Sequence, residues 1–409
     1  MPLMWNDLAR AVEWVTTAIT IAAMAYLTLA MFAAQAWLRS RRRLAATGYT
    51  PGVSVMKSLK GVDPEMLEAF RSHCRQQYAG EFELLFGVSS LAEPAAAAVE
   101  DLKREFPAAA IRLIECPERL GANGKVGTLA QMAPHAQYGY LLINDSDITV
   151  SPRYLERVMA RFAPRAGAPV GLVTALYRGR AHGTPASRGG LAARLEALGI
   201  ATDFMPGVLV ARLIERGLRF GLGSTLAVSR DALEKSGGLL PLVNRLADDY
   251  ELGARIARAG YAIELCAEVV ETAVPAYGWR GFFEHQLRWL RTVRMSRPGG
   301  YAGLVFSHAL AWALLNVLAG GASAVGIWML CMCFFLRLAQ AMTVGAGVLA
   351  DRQVIETLWL LPIRDVLAMA LWVTGFAGNT IVWRGERFVL DRGQMKTPPR
   401  KISEKRAGS

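Results

Sequence analysis

Tyr140-Leu-Leu-Ile-Asn-Asp-Ser-Asp-Ile148 is the stretch whose reading decides the fold. Its first half is a short, continuous apolar run, the pattern of a buried β-strand, and its end carries two carboxylates one residue apart. Open α/β sheets bind ligands at the carboxyl ends of their strands. Two carboxylates placed there can grip one divalent cation together, and hard oxygen donors suit Mg2+ or Mn2+. A second account stands beside this one. Aspartates after a strand often cap a helix or shape a turn, and Asp147 with Ser151-Pro152 just beyond is spaced to do so.

Upstream, strands alternate with helices. Val53 to Leu59, Phe82 to Val88 and Ile111 to Ile114 read as strands. Pro64 is placed to open a helix running to about Gln77, and Pro94 another running to Glu105, because proline is favoured in a helix's first turn. Such repeats predict an α/β fold with a mostly parallel sheet and helices on both faces.

Further acids and bases follow downstream. Asp248-Asp249 opens the helical pattern Tyr250-Glu-Leu-Gly-Ala-Arg-Ile256. The pair favours a helix N-terminus electrostatically, and neighbouring acids also raise one another's pKa toward that of a general base. Gly121-Ala-Asn-Gly-Lys125 could hold phosphate with backbone N–H groups and an ammonium, or be an ordinary glycine-rich loop. Trp279 to Met295 is basic, aromatic and amphipathic, the character of a helix lying in a membrane interface. Within it, Arg288 could stabilise diphosphate charge and Trp289 pack on an acceptor. His73, His135, His182 and His308 have no partner at metal-ligand spacing.

The chain has 409 residues, is 53% hydrophobic and carries a net charge of +12. Ala11 to Leu38 is long and apolar enough to span a bilayer, and Arg39-Ser-Arg-Arg-Arg43 behind it places the next domain in the cytoplasm by the positive-inside rule. Tyr301 to Leu318, Ala322 to Leu349 and roughly Leu358 to Trp383 read as spanning or deeply buried helices, with Gly320-Gly321 as a hairpin between the first two. The basic residues lie beside these segments and in the tail. They therefore point to anionic lipid headgroups and not to nucleic acid. Five scattered cysteines indicate neither a disulfide framework nor a zinc site. The polar tail after Gly393 has the composition of a disordered segment.

Taken together, Lys57-Ser-Leu-Lys-Gly-Val-Asp-Pro64, Gly121 to Lys125, Asn144 to Ile148, Leu172-Val-Thr-Ala-Leu-Tyr-Arg-Gly-Arg180, Leu246 to Tyr250 and His285-Gln-Leu-Arg-Trp289 resemble the membrane-bound, inverting ceramide glucosyltransferases. The similarity is greatest to their bacterial branch associated with hopanoid biosynthesis. The resemblance implies a GT-A fold, Rossmann-like with a mostly parallel sheet, flanked by N-terminal and C-terminal transmembrane helices. It implies that Asp145 and Asp147 hold the metal and a UDP-sugar, with Lys125 and Lys57 near the nucleotide. Asp249, beside Asp248, would be the base, and His285, Arg288 and Trp289 would complete the site. Two positions depart from the family pattern. Ser90 stands where an aspartate would contact the nucleotide base, leaving Glu93 the nearest carboxylate, and His285 replaces a glutamine or arginine.

The expected division is an anchor at 1–43, a cytosolic catalytic domain at 44–300, membrane helices at 301–385 and a disordered basic tail at 386–409. The expected activity is transfer of one sugar, glucose or N-acetylglucosamine, to the hydroxyl of a ceramide or hopanoid polyol at a bacterial inner membrane. A processive polysaccharide synthase shares the acidic pattern, and a catalytically impaired scaffold would share the fold.

Overall fold

A 41-residue helix, α1 (Pro2–Arg42), precedes the sheet that carries the site. The computed structural model describes residues 2–42, 48–62, 65–182, 190–383 and 385–397. Pro64 lies outside them, and the helix it was expected to open is α2 (Met66–Cys74).

Strands β1 (Val53–Ser58), β2 (Phe82–Val88), β3 (Ile111–Glu115) and β4 (Tyr140–Ile143) pair in parallel in the order β3-β2-β1-β4, as the apolar runs predict. Every residue of β1 is buried, which parallel strands covered on both faces require. Helices α2, α3 (Pro94–Glu105) and α4 (Gly124–Met132) make the three crossovers. The carboxyl ends of all four strands therefore lie along one edge, with Asp145 just past β4.

Beyond β4 the chain adds β5 (Ile148–Thr149), α5 (Tyr154–Met159), β6 (Val170–Ala181), α6 (Gly190–Gly199), α7 (Met205–Ile214), β7 (Leu226–Ser229), α8 (Arg230–Lys235), α9 (Asp248–Arg258) and β8 (Ala262–Val274). The full sheet runs β3-β2-β1-β4-β7-β6-β8-β5. It turns antiparallel at β7, regains a parallel pair at β6 and β8, and ends on β5, so the chain after β4 folds back beside Asp147.

The helical region comprises α10 (Trp279–Ser296), α11 (Pro298–Gly303), α12 (Ala309–Ala319), α13 (Ala324–Ala341), α14 (Arg352–Thr357) and α15 (Leu361–Gly375). Among the described residues three helices are long and apolar enough to cross a membrane: Ala9–Arg41, Gly190–Ile214 and Ala324–Val348. The segment expected at Tyr301 to Leu318 is bent by 59° between Pro298–Ser307 and Ala309–Ala319. The segment expected at Leu358 to Trp383 is corrected. Its helix is the 15-residue α15, shorter than expected and followed by a strand at Thr380–Trp383, and α15 buries Arg364 and Asp365.

Gly190–Ile214 was not singled out in the sequence. Its α-helical halves join through a π-turn at Ile200–Phe204, and 67% of its apolar window is buried inside the protein, against 33% for the other two helices. It is thus an internal helix, and α7 runs along α1, where Arg212 stacks over Trp37 at 4.8 Å.

The first part of the tail expected at 386–409 is a second correction, and residues 398–409 lie outside the described residues. Strands β9 (Thr380–Trp383), β10 (Glu386–Asp391) and β11 (Gln394–Lys396) form an antiparallel sheet whose Ile381, Phe388, Leu390 and Met395 are buried with Leu246. Its polar composition conceals an alternation of inward apolar residues, enough to order the hairpin.

Candidate active site

Asn144 sets the position of the first acid. It is buried, its amide donating to Ser224 O at 2.6 Å and to the Tyr154 hydroxyl at 3.0 Å, and its Oδ1 lies 3.2 Å from His73 Nε2. From below, the buried Lys57 at the end of β1 donates to the backbone oxygen of Asp145 at 3.0 Å. Burial pulls the Lys57 pKa down to about 7 against the opposing pull of Asp147 and Asp145. Lys57 thus secures the loop through its backbone.

The Asp145 side chain stays 42% exposed and meets Lys125 Nζ at 2.6 Å. Lys125 comes from the first turn of α4, where Asn123 caps the helix by accepting from Val126 N at 3.2 Å. The same ammonium reaches Asp248 at 3.5 Å. Burial would lower the Lys125 pKa, but Asp145 and Asp248 more than offset it and hold the cation well above its ordinary value. Asp147 turns the other way. Its Oδ2 accepts from Thr272 of β8 at 2.5 Å, and burial, then the charge of Asp145, raises its pKa. No helix cap is made by Asp147: α5 begins at Tyr154.

Asp248 and Asp249 form the first turn of α9, as their pattern predicts, but Asp249 also faces the site. Its Oδ2 accepts from Gly223 N at 2.8 Å and its Oδ1 from Tyr250 N at 2.8 Å. Burial first, then Asp248, pushes its pKa up to about 6 in spite of Lys125. Gly223 lies between Asp145 and Asp249. A side-chain carbon there would stand 3.2 Å from Asp249 Oδ2 and 3.4 Å from Asp145 Oδ2, so the bare glycine leaves the space between them open. Gly223 was missed in the sequence, although Gly221-Leu-Gly-Ser-Thr225 carries the glycine spacing of a close backbone approach.

The α10 residues belong to a neighbouring cluster. Nδ1 of His285 lies 3.0 Å from the buried Glu196 carboxylate, which also accepts from the Tyr277 hydroxyl. Trp289 packs on His285 at 5.3 Å and on Phe204 at 5.7 Å, and Phe204 packs on Tyr177 of β6 at 5.9 Å. Burial and then the charges of Asp249 and Asp145 hold the Tyr177 phenol well above its usual pKa. Arg288 lies on the same helix, and its charge opposes the rise that burial and Glu196 impose on Tyr277.

Ser90 and Glu93 sit past β2, and no ion pair or hydrogen bond found among the described residues joins them to the acids. The Ser90 hydroxyl accepts from Ala92 N at 3.2 Å, and Glu93 is taken by Ser89. The carboxylate beside this loop is Glu115, at the end of β3, whose Oε1 accepts from Leu91 N at 3.1 Å. Sequence separation hid it.

No group of three or more His, Cys, Asp or Glu side chains suited to a metal occurs among the described residues. Asp145 and Asp147 offer a pair of hard oxygen donors. Mg2+ is commonly held by just one or two carboxylates and completed by water and phosphate, so the residues fit such an ion.

Comparisons with known proteins bear on the family and the fold. The chain is 25% identical over 367 residues to ceramide glucosyltransferase 3 of Caenorhabditis elegans, covering 86% of this chain and 75% of that one. It is 22% identical over 353 residues to ceramide glucosyltransferase 1 of the same organism, covering 84% and 72%. Among solved structures, a mannosyltransferase from Pyrobaculum calidifontis, determined with GDP-mannose and Mn2+, shares the GT-A-like fold with a TM-score of 0.50 at 20% identity, covering 90% of this chain and 99% of that one. The family model described as glycosyl transferase family 21 matches residues 15–396. The protein is a glycosyltransferase, and it belongs to glycosyl transferase family 21.

Proposed function

We propose that the protein moves one sugar from a UDP-sugar to the hydroxyl of a membrane lipid with inversion at the anomeric carbon. The observation that carries this reading is the convergence of Asp145 and Asp249 on the open space at Gly223, with Lys125 against Asp145 and Asp248. A cation for phosphate and a carboxylate with a raised pKa thus lie close together beside Gly223, as donor binding and general-base catalysis need. The similarity to ceramide glucosyltransferases supports a lipid acceptor, and helices apolar enough to enter a membrane support its delivery from the bilayer.

In this mechanism Lys125 binds the donor diphosphate. Asp145 and Asp147 would hold Mg2+ or Mn2+, which when bound neutralises charge on the departing diphosphate. Asp249 takes the proton of the acceptor hydroxyl while that oxygen forms the bond to the anomeric carbon. The bond to the nucleoside diphosphate breaks on the opposite face, and its electron pair leaves with the phosphate oxygen. Tyr177, Phe204 and Trp289 pack in a row and offer rings suited to a sugar face.

The test is incubation of the purified protein in lipid–detergent micelles with labelled UDP-glucose or UDP-N-acetylglucosamine, ceramide or a hopanoid polyol, and Mn2+. A monoglycosylated lipid with the inverted anomeric configuration is expected, and its mass names sugar and acceptor. A polymer would return the processive alternative. Neither UDP binding nor sugar release would return the impaired scaffold.

A further inference from the structure

Beneath the α10 cluster a chain of charged side chains runs through the helical region. Arg337 of α13 is 1% exposed and donates from Nε to Asp365 at 2.8 Å, while its other arm pairs with Asp203. Arg364 of α15 donates from Nε to the second oxygen of Asp203 at 2.8 Å and from Nη1 to Gln286 Oε1 at 3.1 Å. Gln286 is the buried polar residue of α10, and its amide donates to Glu196 at 3.2 Å. Glu196 in turn holds His285.

Asp203 occupies the π-turn between α6 and α7, and the next residue, Phe204, is the ring between Trp289 and Tyr177. π-Turns recur where a functional side chain must be re-aimed, and this one aims two consecutive residues at different partners. Gly199, one turn earlier, is the floor of the clamp. A side-chain carbon there would come within 2.4 Å of the Arg364 guanidinium, which Asp203 and Gln286 hold in place. Buried ion networks of this kind rarely outdo apolar packing in stability, and their best-attested use is fixing register.

We infer that Asp203 is a positioning residue for the transfer reaction: through Arg364 and Gln286 it sets α10 against the sheet, and through Phe204 it sets Trp289 at the acceptor side of the site. The role of Trp289 rests on the reaction proposed above. The clamp itself is independent of it. Two helices of the apolar region, α13 and α15, thereby fix the wall past which a lipid hydroxyl must approach Asp249, while the donor residues Lys125 and Asp145 lie outside the chain of contacts.

Asp203→Asn keeps size and shape but removes the charge shared by the two guanidiniums. In lipid–detergent micelles with UDP-glucose and ceramide it should raise the acceptor KM and lower kcat together by tenfold or more, while UDP affinity stays within twofold of the wild type. Asp203→Glu should recover part of the loss. Gly199→Val displaces Arg364 without removing a charge and should move the same two constants in the same direction. Hydrogen exchange read on residues 279–296, without substrate, should quicken in both variants. Unchanged acceptor kinetics in folded Asp203→Asn, or in Gly199→Val where Asp203→Asn does not fold, would overturn the proposal. Should the wild type transfer no sugar at all, the reaction reading falls, and exchange alone decides the positioning: faster exchange sustains it and unchanged exchange overturns it.

Discussion

Lys125 and Asp145 meet at 2.6 Å, although one opens a helix and the other ends a strand. The contact joins two loops at the carboxyl edge of the sheet and puts a cation where donor phosphate would lie. It also restrains Asp145 before any donor arrives.

Replacing Lys125 by methionine leaves Asp145, Asp248 and Asp249 without their shared countercharge. UDP affinity should fall roughly 10- to 100-fold, about 1.4 to 2.8 kcal/mol, measured by calorimetry with Mn2+ present. Because Lys125 lowers the Asp249 pKa, the acidic limb of the pH–rate profile should move to higher pH in this variant.

Asp249→Asn should abolish transfer while UDP still binds. In the wild type, kcat/KM should fall as pH drops through about 6, where burial and Asp248 protonate the base. The stability effect has the opposite sign. A folded-state pKa raised above the unfolded value of about 4 means that stability is lost as pH rises from there to about 6. The asparagine variant does not titrate here, so its melting temperature should change less than that of the wild type between about pH 4 and pH 6.

Chelation with EDTA should remove activity, and Mn2+ or Mg2+ should restore it. Asp147→Asn should need about tenfold more metal for half-maximal UDP binding, since one of two charged donors is lost while the Thr272 contact can persist. Equal metal dependence in variant and wild type would remove Asp147 from the metal site.

The C-terminal sheet braces the Asp248 loop. Arg245 donates to Arg392 O at 2.8 Å, Met395 N donates to Asn244 O at 2.8 Å, and Asn244 Oδ1 accepts from Ala122 N at 2.9 Å. Arg291 and Arg294 of α10 also donate to carbonyls just before β9, among them Ala377 O and Gly378 O. Ending the chain at Asn379 should therefore lower UDP affinity about tenfold and expose the 243–249 loop to limited proteolysis. A truncated protein with unchanged affinity and cleavage pattern would show the sheet to be dispensable there.

Much of this architecture was legible locally. The apolar runs of β1 to β4 and Pro94 opening α3 are short-range signals, and strand-end placement of Asp145 follows from the former. The basic aromatic stretch from Trp279 became α10 with little change. Where long-range pairing decides, reading along the chain fails. Glu115 and Leu91 meet across two strands, and Gly223 approaches Asp249 only because β7 pairs antiparallel with β4. The tail was misread because its polar residues outnumber the few apolar ones that dock on Leu246.

The sequence alone determined the chemistry available: hard carboxylates, a lysine in a glycine-rich loop, an aromatic basic helix and apolar helices, in the order of one family. Those are properties of residue type and spacing. Only the tertiary structure decided which acid faces which partner. It turned Asp147 to Thr272, gave Asp249 to Gly223 and shared Lys125 between Asp145 and Asp248. It also gave His285 to Glu196 and tied α10 to the apolar region through Asp203, Arg364 and Gln286. The physical reason is burial. Once a charge leaves water it must find a partner within hydrogen-bonding reach, and which partners lie within reach is set by packing between elements far apart in the chain.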